Sequence, residues 1–193
     1  MNSIPNDYIL KTLITSENYE KIVSQFNLFK YDIQTNYYYD TDIFILKESN
    51  CSLRVRQQND KYVLLFRRKR KYDKFDDYQE EITKEIFETL NQTQVLPDIS
   101  IKKEIQSMTK LYQLVNYLSI KTTRIRAKYK ECLIFIDKTE YLDCIDYEIE
   151  LHSEGRTSQT ETDAIFNRLL KKYSITYKTA QKKIDRAYTR LNG

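Results

Sequence analysis

One feature narrows the fold of this chain more than any other: in several strand-like segments, residues of one charge sign alternate with apolar ones. In a strand, residues i, i+2 and i+4 point to the same side. Segment 52–57 (SLRVRQ) puts Arg54 and Arg56 on one face, with Leu53 and Val55 opposite. Segment 62–71 (YVLLFRRKRK) puts Arg67 and Lys69 together. In 121–130 (KTTRIRAKYK), Arg124, Arg126 and Lys128 share a face, with Ile125 and Ala127 behind them. In 143–152 (DCIDYEIELH), Asp146, Glu148 and Glu150 share a face, with Tyr147, Ile149 and Leu151 behind them. Taken singly, each segment reads as an ordinary strand with its charged face in water. Taken together they do not, because solvated surfaces usually mix signs. Here three charged faces carry cations alone and one carries anions alone. A shared interior lined with Arg and Lys repels itself unless a polyanion fills it. The expectation is therefore a charged interior shared by several strands that binds phosphate groups. Arg offers a planar fork that fits phosphate oxygens. Glu148 and Glu150 offer the oxygen ligands that Mg2+ or Mn2+ takes.

The remaining segments fit an α+β domain without repeats or linkers. Segments 7–13 and 34–40 read as strands, and Thr15 or Ser16 can cap a helix over 18–26. Asn59 and Asp60 supply a hairpin turn. Thr83 precedes a short helix over 85–90. Segment 98–118 carries apolar residues at a broken helical period, Leu111 among them. A strand over 132–138 follows, then a helix over 164–173 capped by Thr162 or Asp163, and a basic helix over 178–191.

Composition sets the outer limits. The chain has 193 residues, enough to bury a core as one domain spanning 1–193. Its 17 Tyr and 8 Phe favour strands, and with only 2 Gly its turns must rely on other residues. A net charge of +4 is too mild to point to nucleic acid by itself. Three cysteines with no CxxC spacing indicate neither a disulfide framework nor a zinc site. No apolar run reaches the ~20 residues of a membrane span, and no leader pattern opens the sequence, so a cytoplasmic protein is expected. His152 is the only histidine and has no recognisable nucleophile motif around it.

In order along the chain, these segments resemble the CYTH family, the triphosphate tunnel metalloenzymes, in its compact bacterial form. Asp7-Tyr8-Ile9-Leu10-Lys11 stands where the family has an ExExK strand. The run 34–41 (QTNYYYDT) is similar to its aromatic second strand, and Leu53-Arg54-Val55-Arg56 to its LRxR strand. Arg124, Arg126 and Lys128 fall on the next basic strand, Asp137 on the one after it, and Asp146 to Glu150 on the ExE strand. Lys182 and Arg186 fall in the C-terminal helix, where the family places a basic pair. The resemblance implies an eight-stranded antiparallel β-tunnel with flanking helices. It implies metal-dependent hydrolysis of a small triphosphate (inorganic triphosphate, thiamine triphosphate or a nucleoside triphosphate). The alternatives are an RNA 5′ end as substrate, adenylate-cyclase-like chemistry, or a binding module without turnover. On this reading Arg54, Arg56, Arg67, Lys69, Arg124, Arg126, Lys128, Lys182 and Arg186 clamp the triphosphate. Glu148, Glu150 and Asp7 hold Mg2+ or Mn2+, and Lys11 orients water or the terminal phosphate. The chain departs from the motif at Ile9, which stands where the family has its second glutamate.

Overall fold

The computed structural model describes residues 7–26, 31–110 and 113–193. Eight strands form an antiparallel sheet: β1 (Ile9–Ile14), β2 (Tyr31–Asp40), β3 (Cys51–Gln58), β4 (Lys61–Lys69), β5 (Phe75–Ile82), β6 (Val115–Tyr129), β7 (Cys132–Tyr141) and β8 (Cys144–His152). Their order is β1-β8-β7-β6-β2-β3-β4-β5, and the hydrogen-bonded ladder ends at β1 and β5 without closing. Among the described residues the α-helices are α1 (Ser16–Val23), α2 (Ile45–Glu48), α3 (Lys84–Thr93), α4 (Lys102–Thr109), α5 (Gln159–Lys172) and α6 (Lys183–Asn192). The α+β class expected from the sequence is the one observed. The chain divides into two compact units, one made of Gln34–Lys121 and the other of the described residues up to Ile33 with Thr122–Gly193.

In the Gln34–Lys121 unit, Arg54 lies between Tyr38 on β2 and Leu65 on β4, and Leu65 lies across from Gln79 on β5. Alternation then sorts the faces. Tyr39, Leu53, Val55, Leu64 and Phe66 join Phe87 and Leu90 of α3 and Ile105 of α4 in one buried cluster. Each such side chain contributes about 1.5–3 kcal/mol through burial. Asn36, Tyr38, Arg54, Arg56 and Arg67 take the opposite face, away from the helices.

The other unit repeats this division. Ile134, Ile136, Ile149 and Leu151 pack with Ile22 of α1 and with Ile165, Phe166 and Leu169 of α5. Asp137, Glu148 and Glu150 take the opposite face of β7 and β8.

Tight turns are made with almost no glycine. Asn59, Lys130 and Leu142 hold the left-handed backbone in the turns after β3, β6 and β7, at φ 54°, 56° and 48°. Asn tolerates this conformation; for Leu142 it costs about 1–2 kcal/mol.

Two local expectations are corrected. The helical reading of 98–118 holds only over α4. From Val115 onward the chain is strand, and burial alternates at Leu118 and Ile120. Val, Tyr and Ile in that stretch suit a pleated surface; Leu111 lies outside the described residues. The cap of α5 is Ser158, not Thr162 or Asp163. Ser158 and Glu161 form a reciprocal capping box, and the Thr162 hydroxyl donates to the Ser158 carbonyl from inside the first turn. After β2 the chain turns into the short helix α2. The Asp40 carboxylate accepts from the Thr41, Leu46 and Lys47 amides there.

Candidate metal centre

The register between β7 and β8 sets Asp137 across from Glu148 and Phe135 across from Glu150. On the other side of β8, β1 sets Lys11 across from Glu150 and Ile9 across from His152. Asp137, Glu148 and Glu150 therefore project from one face. One carboxylate oxygen from each lies within 4.8 Å of the other two. Asp137 is fully buried, and Glu148 is 1% exposed.

Three fixed cations meet this group. Arg124 grips Asp137 through two nitrogens at 2.7 and 2.6 Å, and reaches Glu150 at 3.0 Å. Its guanidinium lies over the Phe135 ring, 4.8 Å from the centroid. Helix α6 supplies the other two from positions three apart, which share a helix face. Lys183 donates to Asp137 and stands 3.3 Å from Glu148 and 3.9 Å from Glu150. Arg186 bonds Asp146 at 2.8 Å and Glu148 Oε2 at 3.1 Å. Four carboxylates (Asp137, Asp146, Glu148, Glu150) thus share three cations.

Neutralisation is incomplete in a way that points to a ligand. Glu148 Oε1 is buried and accepts no hydrogen bond among the described residues. Lys183 Nζ lies within ion-pair range of that oxygen but outside hydrogen-bond geometry. An unmet buried acceptor costs about 1–3 kcal/mol. This oxygen belongs to a group of three carboxylates with the Lys183 ammonium among them, an oxygen-rich donor set of the kind hard divalent cations take. Burial pushes the Glu148 carboxyl upward; the Glu150 charge adds to that, and Lys183 and Arg186 oppose it. Burial would also raise Glu150. The His152 hydrogen bond and the charges of Arg124 and Lys183 outweigh it, and hold Glu150 below the ordinary carboxylate range.

Behind this group stands the single histidine. His152 Nδ1 lies 3.0 Å from Asp7 Oδ2, and Nε2 lies 3.3 Å from Glu150 Oε2. Asp7 is itself fixed: its Oδ1 accepts from the Glu154 amide at 2.8 Å and from the Ser153 hydroxyl at 3.3 Å. The imidazole packs edge-on against Phe135, with ring centroids 4.6 Å apart.

The Gln34–Lys121 unit presents a different charged face. Arg54 meets the Tyr38 hydroxyl at 3.4 Å, and Arg56 the Asn36 side-chain oxygen at 3.3 Å. Both contacts are with neutral groups. Arg67 forks onto Asp77 and is more than half exposed.

A sequence-family model for the CYTH domain matches residues 6–188. The chain belongs to the CYTH domain family. It is 29% identical over 185 residues to the Bacillus subtilis (strain 168) protein named "Putative triphosphatase YjbK", and the match covers 92% of each chain. Among solved structures it is similar to bh2851 of Bacillus halodurans, described as a "putative adenylate cyclase". The TM-score there is 0.68 at 23% identity, covering 92% of this chain and 95% of that one. It is also similar to HpAC1 of Hippeastrum, an adenylyl cyclase candidate reported with a dominant triphosphatase activity. That TM-score is 0.72 at 19% identity, covering 95% of each chain. At such identities these two likenesses establish the fold, which is the CYTH tunnel fold.

Within this CYTH chain the expected site residues fall into distinct settings. Glu148, Glu150, Arg124 and Arg186 come together. Asp7 sits behind His152 and outside the carboxylate group. Lys11 is half-buried, in register with Glu150, and pairs with nothing among the described residues. Arg126 and Lys128 are exposed, and Arg126 stands 3.7 Å from Glu154. Lys182 is the exposed residue preceding α6, and its neighbour Lys183 reaches the carboxylates instead. Lys69 is exposed on β4. Lys183 and His152 stand outside the motifs legible in the sequence. Lys183 could have been found from the three-residue spacing to Arg186 on a helix. The signal for His152 is its place two residues beyond Glu150, on the same strand face.

Proposed function

We propose that this chain hydrolyses a small triphosphate with the help of a divalent cation held by Asp137, Glu148 and Glu150. The observation that carries this reading is the buried, unbonded Glu148 Oε1 inside a three-carboxylate group. Family membership, the name of the Bacillus subtilis relative and the activity reported for HpAC1 support it. Mg2+ and Mn2+ suit such oxygen donors. When bound, the cation neutralises phosphate oxygens and helps align them.

The chain's own residues do the rest. Arg124 and Lys183 hold the three carboxylates in place, and Arg186 fixes Glu148 from its other oxygen. Lys11, half-buried and unpaired, is placed to orient the terminal phosphate or the attacking water. Arg54, Arg56 and Arg67, and separately Arg126, Lys128 and Lys182, offer cationic partners for phosphate oxygens. Water attacks the terminal phosphorus, the bond to the bridging oxygen breaks, and orthophosphate and diphosphate leave. Rate then comes from positioning and electrostatics and not from a covalent intermediate.

Phosphate release from inorganic triphosphate, thiamine triphosphate and ATP, measured with Mn2+ and with Mg2+, tests this reading. Glu148→Gln is expected to lower turnover by about 100-fold or more, the scale of losing one preorganised electrostatic group. Equal release by the wild type and the variant would refute hydrolysis at this centre. A second reading, binding without turnover, is favoured by Ile9, which puts no carboxylate across from His152. It predicts calorimetric triphosphate binding that survives while no phosphate is released.

A further inference from the structure

We infer that Lys183 is a tethered occupant of the carboxylate centre. Its side chain holds Asp137, Glu148 and Glu150 together while no cation is bound, and a divalent cation enters by displacing it. This deepens the proposed metal role of those carboxylates and rests on it.

Lys183 Nζ donates to Asp137 Oδ2 and stands 3.3 Å from Glu148 Oε1 and 3.9 Å from Glu150 Oε1. It therefore reaches every member of the group whose oxygens lie within 4.8 Å of one another. Mg2+ takes carboxylate oxygens at about 2.0–2.1 Å. An ion bonded to all three carboxylates would have the Lys183 ammonium as its immediate neighbour. Like charges at that separation repel strongly where water is scarce, so the ion and the ammonium exclude each other.

Of the three basic side chains at the centre, Lys183 is the one least held. Arg124 forks onto Asp137, reaches Glu150 and lies over Phe135. Arg186 is held by Asp146, Glu148 and the Gln181 carbonyl. Lys183 donates to Asp137 alone, and its approach to Glu148 leaves Oε1 without a hydrogen bond. It is a point charge on a flexible four-carbon stem, and its side chain is 22% exposed, so a way out exists. Lys183 is also the first residue of α6, and Lys182 before it makes no capping bond. A helix N-terminus carries partial positive charge and disfavours a cation there. The carboxylates, not the helix, keep this lysine in place. The backbone leading to it is anchored separately. The Thr12 hydroxyl donates to the Lys178 carbonyl at 3.0 Å and accepts from the Lys178 amide at 2.9 Å. The side chain can thus swing out while that anchor and the Arg186 contacts keep α6 docked.

Displacement is read on the wild-type protein by brief acetylation of its lysines, quantified at Lys183 by mass spectrometry with and without saturating Mn2+. Exposed Lys171 on α5 serves as the internal reference. Labelling of Lys183 is expected to rise about tenfold with Mn2+ while Lys171 is unchanged, the factor for an occupant present about nine-tenths of the time. Calorimetry with Mn2+ runs alongside on the wild type, Glu148→Gln, Lys183→Met and Lys171→Met. By the same factor, Lys183→Met is expected to bind Mn2+ about tenfold more tightly, and Lys171→Met as the wild type does. If Mn2+ binds, is lost in Glu148→Gln, and leaves Lys183 labelling unchanged, the inference is overturned and the carboxylate centre stands. Binding by a folded Lys183→Met that is equal to or weaker than wild type would overturn it too. If Mn2+ does not bind, or binds Glu148→Gln as well as wild type, the centre itself fails and this inference falls with it. The labelling arm uses no variant, so it decides the question even if Lys183→Met does not fold.

Discussion

The two units of this chain use the same construction for opposite charge problems. Each covers the apolar face of antiparallel strands with helices and leaves a polar face on the other side. In the unit containing β7 and β8, that polar face is crowded with carboxylates, and its cations are spent on them: Arg124 on Asp137, Arg186 on Glu148 and Asp146. In the Gln34–Lys121 unit, Arg54 and Arg56 lean on a tyrosine hydroxyl and an asparagine oxygen. The same residue type therefore meets carboxylates in one unit and neutral side-chain oxygens in the other. Position in a charge network, more than residue identity, decides what an arginine does.

Substitutions can break or sharpen that contrast. The largest effect on folding is expected at Arg124→Ala, which strips the fully buried Asp137 of its forked partner. Leaving a buried charge short of its partner costs about 3 kcal/mol or more, read as a lower midpoint in urea. Arg54→Ala, by contrast, should leave stability within about 0.5 kcal/mol and weaken triphosphate affinity about tenfold by calorimetry, an effect of charge-assisted phosphate bonds. Equal destabilisation by both changes would erase the distinction.

The two cores should respond alike. Leu64→Ala in one and Ile149→Ala in the other each remove a fully buried side chain, at about 2–5 kcal/mol. Denaturant titration of both variants checks this. The helix caps should separate the units more gently. Ser158→Ala breaks a reciprocal box and should cost about 1–2 kcal/mol. Thr83→Ala loses a single bond to the Ile86 amide and should cost about 0.5–1 kcal/mol. The smallest effect is expected at Arg190→Ala. Its partner Asp143 is exposed and held down to about 2 by the Arg190 hydrogen bond and charge. Exposed pairs contribute little, so the thermal midpoint should hardly move.

Legibility from sequence followed period. Strands β3 and β8 were readable because their alternation is strict, and Thr15, Thr83 and the Asn59 turn because their chemistry is local. The stretch 114–118 misled because Leu114, Val115 and Leu118 satisfy a helical spacing and a strand spacing alike; only pairing within the sheet settles which applies. The cap of α5 was misplaced because four of the residues at 158–163, Ser158, Thr160, Thr162 and Asp163, can all cap. At the carboxylate centre, Glu148 and Glu150 were visible as a pair on one face. Asp137 drew notice only through the family resemblance, since a lone carboxylate among CLIFI residues has no period of its own.

By itself the sequence determined which face each strand side chain takes and how charge sign is distributed among those faces, because alternation is a property of the backbone. The tertiary structure alone decided which opposite charges meet. It brought Lys183, not Lys182, to the carboxylates, set His152 between Asp7 and Glu150, and left Glu148 Oε1 without a hydrogen bond among the described residues. Such contacts join residues far apart in the chain, and they depend on register and on the rotation of α6 about its axis, which no local pattern encodes.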